Sequence, residues 1–384
     1  MAAIFDVLVI GGGAAGASVG YELSRRGRVA LVEREAQPGC HSTGRSAAVI
    51  AENYGPAGWR VLTTASRPFF ENPPDGFSEH PLLRRRGALF LATAEEAAAL
   101  RRSAADLARR GARCELMPAA DALRLCPVLR AETYALALYE PGCADIDTNA
   151  LLQGYLRLAR RNGAAVHFGA EAASIRREDG LWQVACGAVS LAAPVLVNAA
   201  GAWADRVAEL AGLRRRGVTP YRRTAITFDP PEGSAIEDWP MTFDVAETWY
   251  FKPESGRVMV SPVDKTPSEP CDCQPDELGV ALAADRIERA TTMRVRQIRS
   301  RWAGLRSFAP DEEPVIGPDP EEPSFIWYAG QGGNGVMAAP AAAALAAACA
   351  LGETVPEPLA RLGIAGRMTD PARLPPFYRR DPAA

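Results

Sequence analysis

The opening of the chain leaves few folds available. Ile4-Phe5-Asp6-Val7-Leu8-Val9-Ile10 is an apolar run long enough for one buried strand, and it meets Gly11-Gly12-Gly13-Ala14-Ala15-Gly16 without a break. A helix-like stretch follows to about Arg26, then a second apolar run, Val29-Ala30-Leu31-Val32, that ends on Glu33. Strand, glycine turn, helix, strand and acid in this order make a dinucleotide-binding unit. Gly11 permits the tight turn, Gly13 lets the backbone approach a pyrophosphate, and Gly16 lets helix and strand pack closely. The helix N-terminus offers unpaired N–H groups and a positive dipole to the phosphates. Glu33 stands where a carboxylate would accept the hydroxyls of an adenosine ribose.

A chain of 384 residues can bury a large core and is expected to form two intertwined domains. Its formal net charge of -3 gives no basic field for nucleic acid. Lys252 and Lys265 are the only lysines, so arginine carries nearly all the positive charge. The runs Arg84-Arg85-Arg86 and Arg214-Arg215-Arg216 read as solvated faces. The 8 cysteines are scattered, and Cys271-Asp272-Cys273 lacks a second pair at zinc-ligand spacing, so no metal is expected. No secretory signal is visible, because the first apolar segment already reads as a strand. The Ala-rich stretch from Ala338 to Leu351 is too short to span a bilayer. The expected location is the cytoplasm, with peripheral attachment to a membrane left open.

Further along, Ala88-Leu89-Phe90-Leu91 reads as a strand, 149–162 as a helix, and Pro194 to Gly201 as a buried strand ending in small residues. Between 221 and 303 the pattern changes to strand candidates around Thr224–Phe228, Met241–Val245, Thr248–Phe251 and Arg257–Val260, an antiparallel meander. The tail goes back to alternating strand and helix. Phe325–Ala329 is a strand, Gly330-Gln331-Gly332-Gly333-Asn334-Gly335 a second glycine-rich loop, and an Ala-rich helix follows.

Two glycine-rich strand-to-helix junctions at opposite ends of one chain, with a β-meander between them, resemble the FAD-dependent D-amino-acid oxidase superfamily. The segments Glu33–Gly39, His41–Ala48, Asn72-Pro73-Pro74, Glu79–Leu83, Ala144–Thr148, Trp302–Phe308 and Gly330–Gly335 are similar to the D-arginine dehydrogenase-like D-amino-acid dehydrogenases. The resemblance implies an α/β fold: a FAD-binding dinucleotide domain of glutathione-reductase type, with an antiparallel β-sheet substrate domain. It places the cofactor domain in 1–84, 145–220 and 304–384, and the substrate domain in 85–144 and 221–303. It also implies cofactor contacts from Gly11, Gly13, Ala14, Ala15, Gly16, Glu33 and Arg34. Ser42, Thr43, Arg45, Ser46, Ala47 and Ala48 would reach the pyrophosphate and ring, joined by Ala173, Ala200 and Gly201. Gly330, Gly332, Gly333, Asn334, Gly335 and Val336 would place amides and a helix N-terminus near the reduced ring's negative charge. No cysteine lies in Arg306–Asp311 or the second glycine loop, where relatives attach flavin covalently, so FAD is expected to be noncovalent.

On the substrate side the resemblance assigns carboxylate binding to Arg306 and Arg223, with hydroxyls from Tyr54 and Tyr250. Arginine suits this task because it grips a carboxylate with two parallel hydrogen bonds. Arg222 and Arg223 point to opposite faces of a strand, so only one can reach the flavin. Relatives that take cationic D-amino acids carry an acid about where Ala88 stands and a histidine where Val49 stands. Both changes remove polarity, which points to non-basic D-amino acids. The expected reaction is oxidation at Cα to an imino acid, then hydrolysis to a 2-oxo acid and ammonia. The electrons would pass to a quinone, another carrier or O2. A glycine- or sarcosine-type amine oxidase making peroxide, and a non-catalytic FAD-binding subunit, remain alternatives; a tRNA-modifying relative lacks its basic stripe.

Overall fold

The computed structural model describes residues 2–375. Positions 376–384, at the end of the expected third cofactor segment, lie outside the described residues. A six-stranded sheet forms the centre, in the order Ala165–His167, Val29–Val32, Val7–Ile10, Val195–Asn198, Phe325–Ala329, Val315–Pro318. Its strands are parallel except for the last, which is antiparallel to its neighbour. Both faces are covered, which explains the unbroken apolar runs. Val7 and Val9 pack toward the helices Ala14–Ser24, Thr148–Arg161 and Ala339–Ala350. Leu8 and Ile10 pack toward a four-stranded sheet through Trp182, Val184 and Leu191. The helices Ala14–Ser24 and Ala339–Ala350 are buried almost all round, and their alanines and glycines let them approach each other closely.

The second large sheet has nine strands. Its spine is the pair Thr219–Phe228 and Ile298–Phe308, followed outward by Arg257–Ser261, Tyr250–Glu254, Met241–Asp244, Ala88–Ala92, Leu136–Glu140 and Glu115–Pro118. The strands of the expected meander pair antiparallel, and Met241–Asp244 at its edge runs parallel to Ala88–Ala92, a strand outside it. Period-two alternation divides its side chains. Leu89, Ile226, Phe228, Phe251 and Val260 face the helix Glu277–Ala290, while Phe90, Met241, Phe243, Tyr250 and Met259 face the segment from Ala47 to Tyr54.

The two arginine runs are not uniformly solvated. Arg86 is buried, bonding Asp145 at 2.7 Å and the Glu237 and Trp239 carbonyls. Arg216 is buried against Asp319 at 2.8 Å. In each run the third arginine turns inward onto a carboxylate distant in sequence, partly buried Asp145 in one case and fully buried Asp319 in the other.

Candidate active site

Gly11 has φ +109°, and a Cβ there would collide with the Ala199 carbonyl. A Cβ on Gly16 would collide with the Gly11 carbonyl, so the helix Ala14–Ser24 can rest directly on the turn. Glu33 follows the strand Val29–Val32, and its two oxygens accept the Gly12 N–H at 2.6 Å and the Glu35 N–H at 2.9 Å. The carboxylate is thereby fixed in orientation, with lone pairs to spare for hydroxyl groups. Thr43 Oγ1 accepts the Ala14 N–H at 3.0 Å, satisfying one open donor of the first helical turn from a loop 29 residues away.

Gly11, Ala14, Glu33 and Thr43 line one end of a cavity of ≈ 340 Å³. Of the expected cofactor residues, Gly11, Gly13, Ala14, Ala15, Glu33, Arg34, Ser42, Thr43, Arg45, Ser46, Ala47, Ala200 and Gly201 line this cavity. So do Gly330, Gly332, Gly333, Gly335 and Val336. Gly16, Ala48, Ala173 and Asn334 do not line it. Gly16 is packed beneath the turn, and Ala173 is occupied in sheet pairing through Ala185. Asn334 is buried and donates to the Tyr54 carbonyl at 3.1 Å. Arg45 lines the cavity, but its guanidinium is spent on the carbonyls of Cys40, Cys273 and Ala303 and on Asp272. It staples the loop to the large sheet. Sequence reasoning passed over Trp203, which also lines the cavity and lies 4.2 Å beneath the Arg34 guanidinium. Its place directly after the small residues Ala200–Ala202 was the available signal.

At the other end the large sheet contributes its polar pair. In the register, Tyr221 faces Arg306 and Arg223 faces Gly304, so both arginines project from one face as diagonal neighbours. Arg222, on the opposite face, pairs with Asp276. Arg306 Nη1 donates to the Tyr54 hydroxyl at 2.9 Å and Nη2 to the Tyr250 hydroxyl at 3.3 Å. Burial works against the Arg306 charge, yet the two tyrosines outweigh it and raise its pKa above the ordinary arginine value. Arg223 Nε donates to the Asp264 carbonyl at 2.9 Å, while its Nη1 is buried without a partner. Burial, and then the Arg306 charge beside it, lower the Arg223 pKa. A buried donor left open next to a second guanidinium is a seat for an anion.

A smaller compartment of ≈ 40 Å³ shares Ser46, Ala47, Tyr250, Arg306, Gly333 and Val336 with the larger cavity. Tyr54, Ala48, Val49, Met241, Phe243 and Met337 complete its wall, with no acid and no histidine among the described residues. Tyr54 stacks on Phe243 at 5.8 Å, and Phe243 on Phe90 at 4.9 Å. Ala88 is fully buried and lines neither compartment; Met241, opposite it in the sheet, takes that place. Met241, Phe243 and Met337 were not singled out in the sequence, where they read as ordinary core residues.

The second glycine loop also departs from expectation. The helix begins only at Ala339, after a series of turns, so its N-terminus is set back from the glycines. The Gly332 N–H donates to the Ser307 carbonyl and the Asn334 N–H to the Gln331 carbonyl. Those two amides are unavailable to a ligand. A Cβ on Gly333 would overlap Arg306 Nη1 and stand 2.8 Å from the Tyr54 hydroxyl, so a side chain there would displace one of these two groups.

Residues 6–349 match the family model described as FAD dependent oxidoreductase, designated DAO. The chain belongs to this family. Glycine oxidase of Geobacillus kaustophilus is 26% identical over 88% of this chain and 90% of its own length. Its crystal structure superposes with a TM-score of 0.81 at 22% identity over 96% of this chain and 98% of that one. L-proline dehydrogenase from P. horikoshii shares the fold at TM-score 0.84 and 21% identity, over 97% of this chain and 98% of the other. So does L-alpha-glycerophosphate oxidase of Mycoplasma pneumoniae, with FAD bound, at 0.79 and 20%, over 91% and 95%. FAD is the cofactor of this oxidoreductase, and the residues present fit it. A dinucleotide turn stands at one end of the long cavity, and Gly330, Gly332, Gly333 and Gly335 with Arg306 and Arg223 at the other.

Proposed function

We propose that this oxidoreductase oxidises the Cα–N bond of an amino acid, with a D-amino acid of small or apolar side chain as the preferred substrate. The carrying observation is the clamp of Arg306, Tyr54 and Tyr250 beside the open Nη1 of Arg223, at the junction of a cofactor-sized cavity and a small apolar compartment. The narrower likeness to D-arginine dehydrogenases rests on the sequence segments quoted above; the apolar wall argues against their cationic substrates. A guanidinium or ammonium deprived of a buried carboxylate partner loses about 2–5 kcal/mol of binding.

In this reading the turn Gly11–Gly16, Glu33 and the loop 42–47 hold the ADP half, and Gly333, Gly335 and Val336 adjoin the ring. FAD, when bound, accepts the two electrons and the hydrogen released from Cα. Arg306 seats the substrate carboxylate, Arg223 supplies a second positive group, and the tyrosine hydroxyls fix the angle. Val49, Met241, Phe243 and Met337 exclude water and receive the side chain. No general base is found among the described residues of the small compartment, so the amine must arrive unprotonated and turnover should rise toward alkaline pH. The imino acid then hydrolyses to a 2-oxo acid and ammonia. Cys40 is the one cysteine among the described residues lining the cavity, and it belongs to the loop preceding Ser42 rather than the ring end, which supports noncovalent FAD.

Anaerobic mixing of the FAD-loaded protein with a panel of D- and L-amino acids tests the reading. Bleaching by D-methionine, D-phenylalanine or D-proline in preference to D-arginine is expected; a D-arginine preference, or no bleaching by any amine, rejects it. The small volume of the compartment and the glycine oxidase relative favour one further reading, oxidation of glycine or a secondary amine with O2 as acceptor. Peroxide formed from glycine or sarcosine in air would select that alternative.

A further inference from the structure

Beside the clamp lies a buried acid with no part in the chemistry above. Glu140 ends the strand Leu136–Glu140, directly opposite Ala88, and is 1% exposed. One of its oxygens accepts the Glu52 N–H at 2.6 Å and the other the Asn53 N–H at 3.3 Å. These amides belong to the turn that leads into Tyr54, and Asn334 holds the Tyr54 carbonyl from the other side. The Tyr54 hydroxyl is in turn the partner of Arg306 Nη1. One buried carboxylate thus anchors the backbone from which half of the clamp is hung.

We propose that Glu140 is a positioning residue for the carboxylate clamp: its ionised side chain holds both amides and so sets the Tyr54 hydroxyl against Arg306, and its protonation weakens binding of the substrate carboxylate. The inference rests on reading Arg306 and Tyr54 as the carboxylate site. An ionised carboxylate accepts strongly at both oxygens, whereas the protonated acid carries an O–H on one of them and accepts more weakly from the N–H there. Burial pushes the Glu140 pKa up to about 7, with the Glu52 charge adding to the rise and the two amides and Arg67 opposing it. Glu52 pairs with Arg67 of the helix Ala57–Glu71 at 2.5 Å. Cys143 and Cys114 feel the Glu140 charge, and Cys143 also faces Asp145 and Lys252. Arg306 keeps its charge throughout neutral pH, so it cannot itself produce a binding transition there.

The test uses FAD-loaded protein and acetate, a carboxylate that cannot be oxidised, titrated by the perturbation of flavin absorbance between roughly pH 6 and pH 8.5. In the wild type, acetate affinity should rise about tenfold across this range, the worth of one charge-assisted hydrogen bond. Glu140→Gln should bind acetate weakly with no transition, and amide exchange of the peptide around 50–56 should quicken relative to the rest of the chain. Glu140→Asp, which retains charge on a shorter arm, should restore a transition and serves if the glutamine variant does not fold. A wild-type transition retained in Glu140→Gln, no transition in a folded Glu140→Asp, or unchanged exchange at Glu52 and Asn53 in Glu140→Gln would overturn the proposal. Failure of acetate to bind the wild type at any pH would reject the clamp reading itself, whereas the exchange comparison judges Glu140 without reference to substrate.

Discussion

Replacing Gly333 by alanine is the sharpest probe of the clamp. Gly333 is not among the residues with positive φ, so an alanine backbone is unstrained there. The added Cβ would overlap Arg306 Nη1 and lie 2.8 Å from Tyr54 Oη and 2.9 Å from its ring carbon Cε1. These are the tips of two side chains joined by a 2.9 Å hydrogen bond, so the methyl group has to displace at least one of them and disturb that bond. Losing one hydrogen bond to a charged group costs about 1.5–3 kcal/mol, or roughly ten- to hundredfold in substrate affinity. Global stability should change by less than about 1 kcal/mol, since alanine also restricts the unfolded chain. Anaerobic stopped-flow reduction would measure the substrate Kd and the limiting rate, with flavin content and thermal unfolding as controls. Wild-type Kd in an FAD-loaded Gly333→Ala would refute the geometry.

Tyr54→Phe keeps the ring on Phe243 but removes the Arg306 acceptor, so substrate Kd should rise about tenfold with FAD binding unchanged. Arg223→Met should remove the second positive group and weaken binding of a carboxylate at least tenfold, read by the same flavin titration. Asp319→Ala leaves buried Arg216 only its 3.5 Å contact with Glu321 and deprives Trp327 Nε1 of its acceptor, which should cost about 3 kcal/mol in urea unfolding. Glu140 and Asp205 have folded pKa values raised by burial to about 7 and about 6. The folded state therefore binds these protons more tightly than the unfolded chain, and their effect is to increase stability as pH falls from about 7 toward about 4. The gain is at most about 3 kcal/mol for each group. Urea unfolding across that window should show Asp205→Asn losing part of the slope.

How much of the site could be seen in advance follows from how local each signal is. The turn Gly11–Gly16 and the acid Glu33 were legible because glycine stereochemistry, strand length and helix spacing act within a few residues. The opposition of Arg222 and Arg223 followed from strand alternation alone, and Arg223 is the one at the cavity. Arg45 and Asn334, by contrast, carry the right chemistry in the right loops, yet their side chains hold neighbouring segments together. Which partner a polar group finds depends on chain that is distant in sequence. The Ala338–Leu351 stretch reads correctly as too short to cross a bilayer, and among the described residues no helix is long and apolar enough to do so.

The order of residues was sufficient for the nucleotide turn, the two-sided burial of the central strands and the residue types able to grip an acid. The assembled fold was needed to bring Arg306 and Arg223 onto one face with Tyr250, to carry Tyr54 to them from another segment, and to make Met241 rather than Ala88 the wall of the small compartment. Backbone stereochemistry and side-chain periodicity are written into neighbouring residues. Register between strands is set by packing of the whole sheet, and a slip of one residue would turn either arginine away from the cavity.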